Sequence, residues 1–228
     1  MSDSGHPRAV RSFVTRGGRI TSAQERALEE LWPKYGVEPG AAVFDLDAVF
    51  GRRARRTAEI GFGNGDNLLA LAASRPDEDF LGIEVHRPGV GRLLLQLHER
   101  ALGNVRVVCR DAVEVLERYL GGASLDEILI LFPDPWPKKR HHKRRLIQPS
   151  FVALAADRLT AGGALRLATD WEPYAAEMLT TLSAEPRLRN IAADGSFIPR
   201  PAERSPTRFE RRGERLGHQV WDLEFRRV

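Results

Sequence analysis

The sequence predicts an α/β fold in which helices cover both faces of a mostly parallel sheet. From about Arg56 onward, short β-like runs alternate with helix-like runs, and a glycine-rich turn directly follows the first β-like run. The expected parallel strands lie near Thr57 to Ile60, Phe80 to Glu84, Val105 to Arg110, Glu127 to Phe132 and Ala164 to Thr169. At 228 residues, the chain is long enough for one sizeable core with an extension.

Capping residues, proline and glycine predict where individual helices begin and end. Asp66 is expected to cap the helix DNLLALAASR, and Pro76 to end it. Gly162 and Gly163 predict a turn between the helical run SFVALAADRL and the fifth strand.

A further strand is expected near the C-terminus. There Trp221, Leu223 and Phe225 alternate with Asp222 and Glu224, a period of two that is typical of a half-buried strand. We expect this strand at or near the edge of the sheet, with one face in water.

Residues 1–50 show weaker periodicity, apart from the helical run TSAQERALEELW, and are predicted to form a basic, partly flexible extension. Residues 51–228 are then the main domain. The first residues lack the apolar segment of a secretion signal, and no apolar run approaches the ~18 residues of a membrane span. We therefore expect a cytoplasmic protein without membrane contact, either a monomer or a homodimer.

The positive charge is unevenly placed, although the formal net charge is only +4. Such clustering favours a polyanionic partner such as a nucleic acid. The basic residues cluster at Arg8, Arg11, Arg16 and Arg19, at Arg52, Arg53, Arg55 and Arg56, and most densely from Lys138 to Arg145. Cys109 is the single cysteine, which excludes an intramolecular disulfide and a cysteine-based zinc cluster. The histidines form no metal-ligand pattern, so no metal is expected.

The glycine turn lies in AEIGFGNGDN, where Gly61, Gly63 and Gly65 let the backbone turn tightly and approach a ligand closely. Alone, this turn also fits a loop that binds nothing. A nicotinamide dinucleotide site would require a third glycine at the position of Asp66. Because an aspartate there repels a pyrophosphate but not a cationic sulfonium, the turn favours S-adenosylmethionine (SAM) over NAD.

Acidic residues end the following strands. Glu84 lies where an α/β nucleotide fold places an acid for the ribose hydroxyls, and Asp111 can reach an adenine amino group from the third strand. Each acid alone fits a surface or capping role. Together they indicate a ligand crevice at the carboxyl ends of the strands.

The fourth strand runs into PDPWPKKRHHKRR, in which Pro133, Pro135 and Pro137 restrict the backbone. Asp134 and Trp136 should therefore hold fixed directions. Asp134 can accept hydrogen bonds from the Watson-Crick edge of guanine, whereas Trp136 either stacks on a base or, as we prefer, packs the loop.

Motifs along nearly the whole chain carry a family resemblance: RSFVTRGGRIT, EIGFGNG, GIEVH, FPDPWPKKRHHKRR, LATDWEPYA and PTRFERRGERLGHQVWDL. In these segments the chain closely resembles the bacterial tRNA (guanine-N7-)-methyltransferase family. The resemblance implies a Rossmann-like SAM-dependent methyltransferase fold and a tRNA partner. It also implies methyl transfer from SAM to N7 of guanine, at position 46 of the variable loop.

The matching motifs also imply site residues. The expected cofactor site comprises Glu59, Gly61, Gly63, Gly65, Glu84, Asp111, Ala112 and Asp134. The expected substrate contacts are Lys138, Asp170, Thr207, Arg208, Phe209 and Glu210. The expected RNA contacts are Arg140, His141, His142, Lys143, Arg144 and Arg145. Arg208 departs from the lysine common in the family, and a planar guanidinium does not replace an ammonium in detail.

N7 of guanine carries an exposed lone pair, so its methylation needs no base, and alignment should dominate the rate. Asp134 is the candidate catalytic residue, with Asp170 second, because a carboxylate can stabilise the cationic base that forms. Two alternatives stay open: a SAM-dependent methyltransferase for another RNA or a protein, and a non-catalytic RNA-binding protein. SAM binding discriminates between the enzymes and the binding protein.

Overall fold

A computed structural model describes residues 19–202, 204, 210 and 219–228. Within them, one seven-stranded sheet has the order β3-β2-β1-β4-β5-β7-β6. All neighbouring pairs from β3 to β5 are parallel, and β7 is antiparallel to β5 and β6. The strands are β1 (Arg56–Ile60), β2 (Asp79–Ile83), β3 (Val105–Val108), β4 (Leu125–Leu131), β5 (Leu159–Thr169), β6 (Leu188–Asn190) and β7 (Trp221–Arg227).

In the described part of the chain, three helices precede β1, and the others lie between strands. The helices are α1 (Ser22–Glu30), α2 (Trp32–Tyr35), α3 (Leu46–Phe50), α4 (Asp66–Ser74), α5 (Arg87–Glu99), α6 (Ala112–Arg118), α7 (Pro149–Arg158) and α8 (Glu172–Ser183). A 3₁₀ helix, Lys139–Arg144, lies between β4 and α7. None of the helices formed by the described residues is long and apolar enough to span a bilayer.

Each face of the sheet has its own hydrophobic core. Ala58 and Ile60 of β1 belong to a core with residues of α6, α7 and α8. Phe80 and Leu129 contribute to a second core with residues of α1, α4 and α5. Side chains alternate between the faces of a strand, so both faces of these parallel strands are covered. The predicted α/β class with helices on both faces is confirmed.

The five predicted parallel strands are present, but the turn expected at Gly162 and Gly163 is misplaced. α7 ends at Arg158 and β5 begins at Leu159, so both glycines lie inside β5. The β4–β5 register shifts between Leu125 and Glu127, and Gly162 has a φ of 77°. The positive φ of Gly162 therefore accommodates a bulge within β5.

The expected helix cap at Asp66 is also corrected. Gly65 is the N-cap, with a φ of 81°, and Asp66 is the first helical residue. The Asp66 carboxylate instead lies 3.7 Å from Arg92. An acid in the first helical turn still suits the helix dipole.

β7 is near the edge of the sheet, as predicted, but it is not half-exposed. Its acids Asp222 and Glu224 are each 4% exposed, because they pair with Arg204 and Arg166. β6 forms the edge beyond it. The acidic residues that alternate with apolar ones along β7 therefore form buried ion pairs and do not face water.

Residues 19–50 pack against the sheet domain. The side chain and backbone of Thr21 form a capping box with Gln24 at the start of α1. α1 lies against α5, so closely that a Cβ on Gly91 would come 2.8 Å from the Gln24 carbonyl oxygen. Tyr35 is fully buried, and the Val37 amide donates to the Val107 carbonyl at 2.9 Å. The division into an extension of 1–50 and a domain of 51–228 stays a prediction.

Candidate active site

The candidate site lies at the carboxyl ends of β1 and β4, where the strand order reverses direction. The chain moves outward from β1 to β2 and β3, and then resumes at β4 on the other side of β1. In open α/β sheets, ligands bind in the crevice outside such a switch point. The glycine turn follows β1 and the proline-rich loop follows β4, so both border this crevice.

The glycine turn has a conformation that side chains would strain. Gly61, Gly63 and Gly65 have φ angles of 72°, 58° and 81°. A Cβ on Gly61 or Gly63 would meet nothing within 4 Å, whereas one on Gly65 would come 2.6 Å from Leu93. Gly65 thus permits helix packing, and the other two leave open space for a ligand.

Glu84 holds the glycine turn in place. Its carboxylate accepts hydrogen bonds from the backbone amides of Gly63 at 2.9 Å, Val85 at 2.7 Å and His86 at 2.9 Å. Since each carboxylate oxygen has two lone pairs, acceptor capacity is left for ribose hydroxyls.

Glu59 is a buried carboxyl beside this turn, 3% exposed, and it accepts a hydrogen bond from Asn67 Nδ2 at 2.9 Å. Burial raises its pKa from 4.5 to about 7; the hydrogen bond opposes this rise, and the nearby Glu84 adds to it. A cationic ligand would relieve the cost of ionising this group.

Asp111 and Ala112 follow β3, at the start of α6. Asp111 is the N-cap of α6, where its side chain accepts a hydrogen bond from the Glu114 amide at 3.1 Å. Both residues are half-buried. The capping role is therefore real, and it leaves the second carboxylate oxygen of Asp111 for another contact.

The loop Pro133–Pro137 leaves β4 beside β5, with the Phe132 amide donating to the Ala168 carbonyl at 2.8 Å. Phe132 and Trp136 have φ angles of 54° and 44°, which are unusual for aromatic residues. Asp134 between them is exposed. The preferred role of Trp136 in packing fits its contacts: the Arg144 guanidinium lies 4.1 Å from its ring centroid, and His141 meets it edge-on at 5.9 Å.

The basic run forms the 3₁₀ helix directly after this loop. Four of its side chains are exposed: Lys138, Lys139, Arg140 and Lys143. His141, His142 and Arg144 are half-buried. Desolvation and then the neighbouring cations, Arg140 first, lower the pKa of His141. An anion bound at this surface would oppose those cations and raise the pKa of His141.

Arg145 differs from the rest of the run, because its side chain is only 1% exposed. Its guanidinium contacts the loop and α8 rather than the surface. In this conformation it is not available to a phosphate, which argues against the predicted RNA contact.

The second basic cluster lies at the opposite, amino-terminal edge of the sheet and is largely paired within the chain. Arg52 bonds to Asp79 at 2.7 Å, and Arg56 pairs with Asp47. Arg55 lies 3.7 Å from Glu127. These arginines are therefore engaged within the chain, at the end of the strands opposite the crevice.

Of the predicted substrate residues, Lys138, Asp170 and Glu210 lie in the part of the chain that the structure describes. Asp170 is half-buried just after β5, at the crevice edge. Glu210 is 1% exposed and is held by Arg204 at 2.6 Å. Thr207, Arg208 and Phe209 lie outside the described residues. Among the described residues, no group of three or more His, Cys, Asp or Glu side chains could hold a metal ion.

Comparison with known proteins places this geometry in a family. A family model described as "Putative methyltransferase" matches residues 53–223. A tRNA (guanine-N(7)-)-methyltransferase of Pseudomonas paraeruginosa is 58% identical over 99% of this chain and 93% of its own length. Those of Leifsonia xyli and Methylococcus capsulatus are 60% and 59% identical, covering 95% and 100% of this chain and 95% and 98% of their own lengths. The chain belongs to the tRNA (guanine-N7-)-methyltransferase family.

Solved structures support the family fold at lower identity. The 16S rRNA methyltransferase KamB aligns with a TM-score of 0.55 and 14% identity, over 86% of this chain and 99% of its own. The antibiotic-resistance methyltransferase Kmr aligns with a TM-score of 0.56 and 15% identity, over 84% and 94%. These likenesses show the Rossmann-like methyltransferase fold alone.

Sequence reasoning missed two residues of this family member that support the site. Asn67, on α4, orients Glu59. Arg204 donates paired hydrogen bonds to both Glu210 and Asp222, and its guanidinium lies 5.8 Å from the Phe132 ring centroid. The signal for Asn67 was its position in the first turn of the helix after the glycines. Arg204 had no comparable local signal.

Proposed function

We propose that this chain transfers the methyl group of SAM to N7 of guanine in tRNA, at position 46 of the variable loop. The observation that carries the proposal is the continuity of the Pro133–Pro137 loop, which begins beside the crevice and ends at the basic 3₁₀ helix. A cofactor pocket and an anionic polymer can therefore meet at Asp134. The high identity to tRNA (guanine-N(7)-)-methyltransferases supports this substrate.

The residues of the crevice fit SAM. Glu59 offers a carboxylate for a cationic group, and Glu84 keeps acceptor capacity for ribose hydroxyls. Among the described residues, Asn67 Oδ1 is buried and has no hydrogen-bond partner, so an acceptor is left beside Glu59. Asp111 and Ala112 would border the adenine. When bound, SAM supplies an electrophilic methyl group on a sulfonium.

The protein's task in this reaction is orientation and charge stabilisation. N7 of guanine has a lone pair in the plane of the ring, so no side chain has to remove a proton. Asp134 would accept hydrogen bonds from the guanine edge and stabilise the positive charge that develops on the base. Asp170, at the neighbouring strand end, is the second candidate.

The exposed cations would bind the RNA backbone. Lys138, Lys139, Arg140 and Lys143 can each neutralise a phosphate and release its condensed counterions. Because the proposed substrate is tRNA, we place the proposed reaction in the cytoplasm.

The decisive test incubates the protein with methyl-labelled SAM and unmodified tRNA and maps the labelled base. We expect label at N7 of the variable-loop guanine; label on an adenine or on another guanine atom would contradict the proposal. Asp134→Asn should lower the rate at saturating SAM and tRNA by ~100-fold. Asp77→Asn, which changes an exposed acid at the amino edge of the sheet, is the control and should leave the rate unchanged.

A further inference from the structure

Arg145 is a buried cation at the end of an exposed basic run. Its side chain is 1% exposed, whereas Lys139, Arg140 and Lys143 lie on the surface. An arginine that binds RNA phosphates has to present its guanidinium to solvent. Arg145 is withdrawn from it.

The guanidinium of Arg145 links the Pro133–Pro137 loop to α8. Its Nε donates to the Pro135 carbonyl at 2.9 Å, and its Nη1 pairs with the Glu177 carboxylate. It also lies 4.7 Å from the ring centroid of Tyr174. The planar guanidinium makes these three contacts at once, which an ammonium cannot reproduce.

The segment that Arg145 holds has an unfavourable backbone conformation. The Pro135 carbonyl belongs to the peptide unit that leads into Trp136, whose φ of 44° is in the left-handed region. Phe132 is in the same region at 54°. Bulky residues keep such angles only where the surroundings impose them. The hydrogen bond from Arg145 to the peptide group between Pro135 and Trp136 is such a constraint.

We propose that Arg145 is a positioning residue that fixes the orientation of Asp134 through the Pro135 carbonyl, and that it does not contact RNA. Glu177 is the second part of this device, because it neutralises the buried charge and anchors it to α8. The effect on the rate rests on the proposed function; the effect on the loop does not.

The test compares Arg145→Lys with Lys143→Gln, which changes an exposed cation in the same 3₁₀ helix. We expect Arg145→Lys to lower the single-turnover rate at saturating tRNA by ~10- to 100-fold, because small misplacements of reacting groups are costly. Its tRNA affinity and salt dependence should match the wild type. Lys143→Gln should instead weaken tRNA binding and lower the salt slope by about one ion.

A second readout is independent of the reaction. Hydrogen exchange of the amides of Phe132, Asp134 and Trp136 should be faster in Arg145→Lys and unchanged in Lys143→Gln. Glu177→Gln leaves the basic run intact and should reproduce both the faster exchange and the slower turnover; it also decides the matter if Arg145→Lys does not fold. Wild-type exchange and rate in Glu177→Gln would overturn the proposal, as would a reduced salt slope with a normal rate in Arg145→Lys. If the wild type methylates no guanine N7, the proposed function fails, while the exchange data still judge the positioning role.

Discussion

The side-chain amide of Asn67 donates a hydrogen bond to Glu59 at 2.9 Å, so the first turn of α4 orients the carboxyl group of β1 across the glycine turn. The two side chains are buried. Burial makes Glu59 a titrating group at neutral pH, because it raises the pKa of this carboxyl from 4.5 to about 7 despite the hydrogen bond.

The stability of the unliganded protein should depend on Glu59. Its pKa is raised on folding, so the folded chain holds this proton more tightly than the unfolded chain. The stabilisation is complete below pH 4.5 and is lost as the pH rises through about 7. Glu59→Gln removes this titration, and Asn67 can turn its free Oδ1 toward the new amide. Urea denaturation should show that the variant gains stability relative to the wild type as the pH rises from 4.5 to 8. A difference in the free energy of unfolding that does not change with pH would contradict this prediction.

Cofactor binding should release a proton near neutral pH. A cationic ligand favours ionised Glu59, so the affinity for SAM should rise as the pH increases from 6 to 8. Calorimetry at pH 7 in buffers of different ionisation enthalpy should detect release of about half a proton per SAM, since the pKa is about 7. Glu59→Gln should abolish this release. Equal release in the variant would assign the proton to another group.

The close approach of α5 to the glycine turn should be essential for cofactor affinity. A Cβ on Gly89 would lie 2.1 Å from the Gly63 carbonyl oxygen, so Gly89→Ala must displace the turn. Overpacking of this kind costs about 1–3 kcal/mol, which corresponds to a loss of SAM affinity of ~5- to 150-fold. Gly103→Ala is the control, because nothing lies within 4 Å of its added Cβ. Equal affinities in the two variants would show that the turn does not hold the cofactor.

The double pairing of Arg204 should stabilise the carboxyl-terminal part of the sheet. Arg204→Gln removes the buried cation that Asp222 and Glu210 share, which should lower the free energy of unfolding by about 3–5 kcal/mol. Arg200→Gln is the matched control: Arg200 lies 3.3 Å from the same Glu210, but its side chain is 45% exposed, so its loss should cost about 0–1 kcal/mol. Urea denaturation measures both, and similar losses would refute the buried-network interpretation.

Much of the fold could be predicted because its signals are local. The parallel strands follow from short apolar runs, and the glycine turn and the acids at strand ends follow from residue types at fixed spacing. The predictions that were wrong concern what distant residues do to a local pattern. Asp222 and Glu224 alternate with apolar residues as in a half-buried strand, yet both are buried, because ion pairs with Arg204 and Arg166 offset the cost of desolvating their carboxylates.

The sequence by itself determined the α/β class, the glycine turn, the acids that follow the strands and the family to which the motifs belong. Only the tertiary structure decided which charges face water. Arg140 and Arg145 are indistinguishable within the basic run, but Arg145 meets Glu177, 32 residues away, and is buried. The free energy of a charge depends on its solvation and its partners, and both are set by chain segments that a local pattern does not include.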